Sequence, residues 1–338
     1  MTLNMPSTPP AETSSVPAPD RFLAVGFIGT GRMGLPIAER LLQSHVPLVV
    51  YNRTQGKTQK LIDAGARWCT TAKELGRAVS KGVTFVMVSD GKAVKSVLFG
   101  RAGYSRGAPA GALVVNLSTI DPDESRTFAA RLAERGVRYV DAPVGGSVDQ
   151  ATQGELIFFV GGEDGDFARV RPLLERLGRQ IGHVGPVGAG NAMKLVNNLL
   201  TVGITVLSTE ALSLAAGFGL DPRQTVELLQ AGGGRSAMLE RKSAAFLARK
   251  YPAQFSTQLA EKDLRLIERA ARRERRPLQM TREARKLLDE AIVEGHGDED
   301  FSSVLEATFG RAHDTVSAGP ARSSPVTGST PPGPAPSA

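Results

Sequence analysis

The stretch Gly29-Thr30-Gly31-Arg32-Met33-Gly34 constrains this chain more than any other feature, because of what stands on either side of it. Residues 22–28 read as an apolar, β-prone run, and the pattern after the last glycine opens a helix reaching about Ser44. A glycine-rich turn alone is commonplace. Between a strand and a helix, glycines at this spacing allow a tight turn and a close backbone approach. The amides at the helix start can then hold a pyrophosphate. Residues 29 to 34 are therefore expected to bind a dinucleotide. Further short apolar runs at 47–51, 83–88, 113–117 and 138–140 alternate with amphipathic stretches, which predicts a parallel α/β sheet.

The end of the second run bears on which dinucleotide. NAD enzymes place an acidic residue there against the ribose hydroxyls, whereas this chain has Asn52-Arg53-Thr54. Arg53 can grip a 2′-phosphate in a bidentate manner, with Asn52 and Thr54 giving neutral hydrogen bonds, so NADP(H) is expected over NAD(H), which stays possible. An ordinary surface arginine at a turn is the bland alternative. Val88, closing the run 83–88, is placed with the cofactor residues.

Beyond Gly190 the strand signals stop. Helical patterns cover 192–216, 222–229, 259–272 and 281–294, predicting a Rossmann-like N-terminal domain over 22–188 and an all-α C-terminal domain over 189–315. The segment 195–220 is apolar enough to raise a membrane span. Asn197, Asn198, Glu210 and several small residues within it instead suit a helix buried between domains or subunits. No membrane partner is expected, and a homodimer or homotetramer is.

The two ends differ from this middle. Residues 1–21 and 316–338 are rich in proline and read as disordered tails; the first 20 residues hold no Lys or Arg and no apolar run, unlike a secretion signal. With one cysteine, Cys69, and four scattered histidines, no disulfide framework or zinc spacing exists, so a cytoplasmic protein without a metal site is expected. The net charge of +7 is spread along the chain. Its densest run, at 269–276, lacks interleaved aromatics and reads as a solvated helix face, not a nucleic-acid patch.

Residues 185–190, Gly-Pro-Val-Gly-Ala-Gly, precede a helix carrying Lys194 and Asn198 four apart, hence on one face. A lone helical lysine is ordinarily a solvated charge. This one adjoins the apolar stretch, where partial desolvation makes an ammonium a usable proton donor.

Four separated motifs now line up: residues 26–34; Asp141-Ala142-Pro143-Val144; the Gly188 to Asn198 helix start; and Lys262-Asp263-Leu264. Across the whole folded part the chain resembles the β-hydroxyacid dehydrogenase family, which includes 3-hydroxyisobutyrate, tartronate semialdehyde, succinic semialdehyde and sulfolactaldehyde reductases. The Asp300-Phe301-Ser302 segment also looks like the family's C-terminal end. The resemblance implies that Lys194 is the catalytic acid/base, that Asn198 holds the substrate, and that Thr119 and Lys262 lie at the cofactor. It also implies that Gly145, Gly146 and Ser147 form the substrate loop. The family's loop usually reads Asp-Ala-Pro-Val-Ser-Gly-Gly, whereas glycine stands here at 145. That change predicts a roomy, backbone-lined anion pocket, unless Ser147 swings in to restore the hydroxyl.

The expected activity is NADP(H)-dependent interconversion of a small aldehyde acid and its hydroxy acid. Imine reductases share the fold and an Asn-Arg-Thr segment but usually carry Asp or Tyr where Lys194 stands. A non-catalytic NADP-binding module would have no use for Lys194, Asn198 and Lys262 together.

Overall fold

The computed structural model describes residues 24–317. The expected N-terminal tail and Phe22 lie outside them, as does all of the expected C-terminal tail after Ser317. The strands are β1 (Val25–Ile28), β2 (Leu48–Tyr51), β3 (Arg67–Trp68), β4 (Val83–Val86), β5 (Leu113–Asn116), β6 (Arg138–Asp141), β7 (Val144–Gly145), β8 (Leu156–Gly161) and β9 (Gly178–Gly185). Between them lie helices α1 (Gly34–Gln43), α2 (Gln59–Asp63), α3 (Ala72–Val79), α4 (Gly91–Phe99), α5 (Pro122–Ala133), α6 (Val148–Gln153) and α7 (Asp164–Leu174). After β9 come α8 (Ala189–Gly217), α9 (Pro222–Ala231), α10 (Ala237–Ala248), α11 (Thr257–Arg273), α12 (Gln279–Ala291) and α13 (Val304–Ser317). This is the Rossmann-like sheet followed by helices that the sequence predicts.

The sheet runs β3-β2-β1-β4-β5-β6-β8-β7, with β9 also on β8. Strands β3 through β6 are mutually parallel. These include all five strands expected from the sequence; beyond them, β8 runs antiparallel to both β6 and β7 and parallel to β9. The central strands are buried on both faces, as continuous apolar runs such as Val25-Gly26-Phe27-Ile28 require. Alternation sorts their side chains into two cores. Val25, Phe27, Leu113 and Val115 join one, while Ile28 and Val114 join the other.

The chain divides into two compact units, one through Asn197 together with Arg269–Arg275, the other Asn198–Glu268 with the residues from Arg276 onward. In the second, Leu212, Val226, Leu239, Phe246, Tyr251 and Leu305 form one buried cluster. Arg285 of α12 ties that helix to α11 through Glu261 and Glu268.

Helix α8 is covered by the rest of the chain on one side only. Leu195, Val202, Val206 and Leu212 are buried, but Val196, Leu200, Leu207 and Leu214 are each more than half exposed along one stripe. Among the described residues it is the one helix long and apolar enough to cross a membrane, with a third of its apolar window buried in the protein.

Candidate active site

Because β1 has β2 on one side and β4 on the other, the chain reverses its direction of travel across the sheet at β1. Parallel α/β sheets open a crevice at the carboxyl ends of their strands at such a point. The glycine loop occupies it. Gly29, at φ +97°, has no room for a side chain against Met87, and Gly34 has none against the carbonyl of Gly29. Beside Gly31 there is open space. Thus the outer glycines serve the fold and the middle one faces outward. Met33, the N-cap of α1, contributes no side-chain cap, and the buried hydroxyl of Thr30 has no hydrogen-bond partner among the described residues. An amide-lined cradle with an unsatisfied hydroxyl fits the pyrophosphate of a dinucleotide.

Asn52, Arg53, Thr54 and Val88 stand beside this loop. The Asn52 side chain accepts from the Thr30 N–H at 3.1 Å and donates to the Thr54 carbonyl at 2.8 Å, so it braces the loop after β2 against the glycine turn. Arg53 and Thr54 beside it are exposed, as is Arg32. Val88 lies directly over Gly29 and donates its N–H to the Ser118 hydroxyl at 2.9 Å. Thr119 therefore follows a residue that is tied to the loop after β4.

At the start of α8 a buried carboxylate does the work of a helix cap. Asp141, at the end of β6, accepts from the Gly188 N–H and the Asn191 N–H, both at 2.7 Å. Burial outweighs these donors and pushes the Asp141 carboxyl up to about 6. Asn191, wholly buried, accepts from the Ile120 N–H at 2.9 Å and donates to the Ser125 hydroxyl at 3.1 Å. Lys194 stands one turn further along, half-buried.

In the helical unit, Asn198 donates to Asp263 at 2.5 Å, and Lys262 pairs with the same carboxylate at 2.9 Å. Asp263 thus joins two of the expected site residues. Asp141, Asn191 and Asp263 carry these arrangements without having been singled out from the sequence, although all three lie inside the recognised motifs. The missing signal was burial, which alone shows that these polar side chains must be partnered.

The substrate loop differs from expectation. Ser147 is the N-cap of α6, its hydroxyl accepting from Gln150 N–H while Gln150 returns a bond to Ser147 N–H. The hydroxyl oxygen therefore caps a helix terminus and keeps its own O–H to donate. The space at Gly145 is not roomy: a Cβ there would lie 3.3 Å from the Phe159 ring. Gly145 itself is buried in β7, and Gly146 takes φ +139°.

Residues 24–185 match the NAD binding domain of 6-phosphogluconate dehydrogenase, and residues 188–308 match the NAD-binding region of NADP-dependent 3-hydroxyisobutyrate dehydrogenase. The chain is 32% identical over 289 residues to 2-(hydroxymethyl)glutarate dehydrogenase of Eubacterium barkeri, covering 85% of this chain and 95% of that one. The crystal structure of 3-hydroxyisobutyrate dehydrogenase from Salmonella typhimurium superposes with a TM-score of 0.76 at 26% identity, covering 84% of this chain and 99% of its own. Psf3 in complex with NADP+ and 2-OPP superposes with a TM-score of 0.75 at 30% identity, covering 83% and 99%. With both halves matched and the motifs of the glycine loop, the α8 start and the Lys262-Asp263 pair in place, the chain belongs to the β-hydroxyacid dehydrogenase family, a family of NAD(P)-binding oxidoreductases.

Proposed function

We propose that this protein interconverts a small aldehyde acid and its hydroxy acid with NADP(H). The observation that carries the reading is the placement of Lys194 and Asn198 one turn apart on α8, in a chain whose glycine loop fits a dinucleotide. When bound, the nicotinamide supplies or accepts the hydride. Lys194 gives its proton to the substrate oxygen in reduction and takes it back in oxidation. Asn198, its amide held by Asp263, positions that oxygen. Lys262 lies at the cofactor, as does Thr119, and Gly145 and Gly146 meet the acid end of the substrate through their backbone. The glycine loop, Asn52, Arg53, Thr54 and Val88 hold the cofactor, with Arg53 on the 2′-phosphate.

The exposed stripe of α8 supports self-association, since a row of four large apolar side chains is stabilised by burial against a second copy. A reducing, cytoplasmic setting fits the single cysteine, Cys69, which is buried with its thiol pushed up by desolvation.

The test is oxidation of NADPH over glyoxylate, succinic semialdehyde, tartronate semialdehyde, methylmalonate semialdehyde, sulfolactaldehyde and cyclic imines. Turnover of an aldehyde acid, with Lys194→Ala slower by about 10² to 10⁴ while still binding NADPH, is expected. Turnover of imines alone, or a Lys194→Ala variant as fast as wild type, rejects the reading.

A further inference from the structure

Two backbone segments with no chain continuity carry the groups that must cooperate: the loop after β5 with Thr119, and the first turns of α8 with Lys194. A proton donor and a bound cofactor act together only at a fixed separation, and a displacement of about 1 Å costs on the order of 10²-fold in rate. A side chain on the second segment bonds directly to the first. Asn191 sits at the start of α8, three residues before Lys194 and seven before Asn198, so all three share a helical face. Its Oδ1 accepts from the N–H of Ile120, the residue after Thr119, at 2.9 Å.

Asn191 is itself held rigidly. Its backbone N–H goes to Asp141 at 2.7 Å, and its Nδ2 donates to Ser125 at 3.1 Å and, more weakly, to Asp141 at 3.5 Å. The residue is wholly inaccessible to solvent. An amide in such a place costs stability unless its hydrogen bonds are made, and here donor and acceptor ends are both used. The neighbouring segments are fixed too. Ser118 accepts from Val88 N–H, and Asp121 is gripped by both terminal nitrogens of Arg273 at 2.6 and 2.9 Å. Thr119 therefore lies in a loop anchored on either side, and Asn191 ties that loop to the lysine helix.

We propose that Asn191 is a positioning residue, which sets the distance between the Thr119 loop and Lys194 through its bond to Ile120 N–H. This rests on the acid/base reading of Lys194 given above. Asn191 touches neither substrate nor reacting atoms; it acts through the two segments that it joins.

Two substitutions separate positioning from plain stability. Asn191→Ala removes the acceptor for Ile120 N–H. Asn191→Asp keeps an acceptor there but sets a second carboxyl beside Asp141, so it also loses stability. The expected result for Asn191→Ala is a kcat lower by 10- to 100-fold, a Kd for NADPH within threefold of wild type and a larger solvent deuterium isotope effect on kcat. Asn191→Asp is expected to retain kcat within a few-fold despite a comparable fall in Tm. Should the alanine variant fail to fold, Asn191→Ser takes its place in the same comparison. Equal kcat losses in the two variants, tracking Tm, overturn the proposal, and so does an unchanged kcat in Asn191→Ala. If Lys194→Ala itself leaves turnover intact, it is the acid/base reading that has failed, a result read separately from these variants.

Discussion

Asp141 ends β6 with its carboxyl buried against two backbone N–H groups, and burial raises that carboxyl from its ordinary 3.8 to about 6. A raised value means that the folded protein holds the proton more tightly than the unfolded chain. The stability contributed by this group is thus present in full below about pH 4 and is lost as pH rises through 6, by about 3 kcal/mol. The advantage of wild type over Asp141→Asn in urea unfolding should shrink across that window, and a constant difference would contradict the assignment. Arg53 makes a different kind of statement, because it is exposed beside the braced Asn52. Arg53→Glu should weaken NADPH by about 2–4 kcal/mol and leave NADH nearly unchanged. A binding titration with both cofactors decides it, and equal losses would remove Arg53 from the phosphate. The placement of such residues was legible in sequence because the glycine loop and the end of β2 lie at fixed offsets from a recognisable strand. Asp141 and Asn191 were not, since nothing in a linear pattern reveals that a polar side chain is enclosed.

Among the elements, α10 had no sequence signal strong enough to be read. It follows Gly232-Gly233-Gly234, and its Lys242 interrupts the apolar face. The structure explains that lysine by an ion pair with Asp300 at 2.7 Å, both partners almost fully enclosed. Burial works to raise the Asp300 carboxyl, but Lys242 overrides it and holds the group below its ordinary value. Lys242→Ala should cost about 3–5 kcal/mol, because it strands a buried charge, whereas Lys242→Ala combined with Asp300→Ala should recover part of that loss. Thermal melts of the two variants test the pairing. Strands β7 to β9 escaped notice for a related reason. Gly178–Gly185 carries glycines at three positions along its length, and only its pairing with β8 makes it a strand. By contrast, β1, β2, β4 and β5 were legible because strands buried on both faces must be continuously apolar.

At the scale of the whole molecule, both the α/β half and the helical half were readable, but the surface of α8 was not. The sequence shows an apolar run and cannot say which side of it the protein itself covers. The structure leaves Val196, Leu200, Leu207 and Leu214 outward. Leu200→Glu together with Leu207→Glu should lower the oligomeric state seen in sedimentation while preserving the fold by circular dichroism; unchanged mass would exclude this stripe as the self-association face.

That stripe and the row Asn191, Lys194 and Asn198 occupy opposite sides of one helix, roughly 170° apart at about 100° per residue. The two faces are consequently locked in phase, like cams on a shaft. Substitutions can alter either face alone, but a single residue inserted after Gly203 would turn Leu207 and Leu214 by about 100° relative to the lysine. An insertion of seven would return them to within about 20°. The length of α8 between the two faces proposed for catalysis and self-association is therefore expected to drift only by near-whole turns, such as about seven, eleven or eighteen residues, and paired one- and seven-residue insertions, compared by sedimentation, would reveal whether the shaft is keyed in this way.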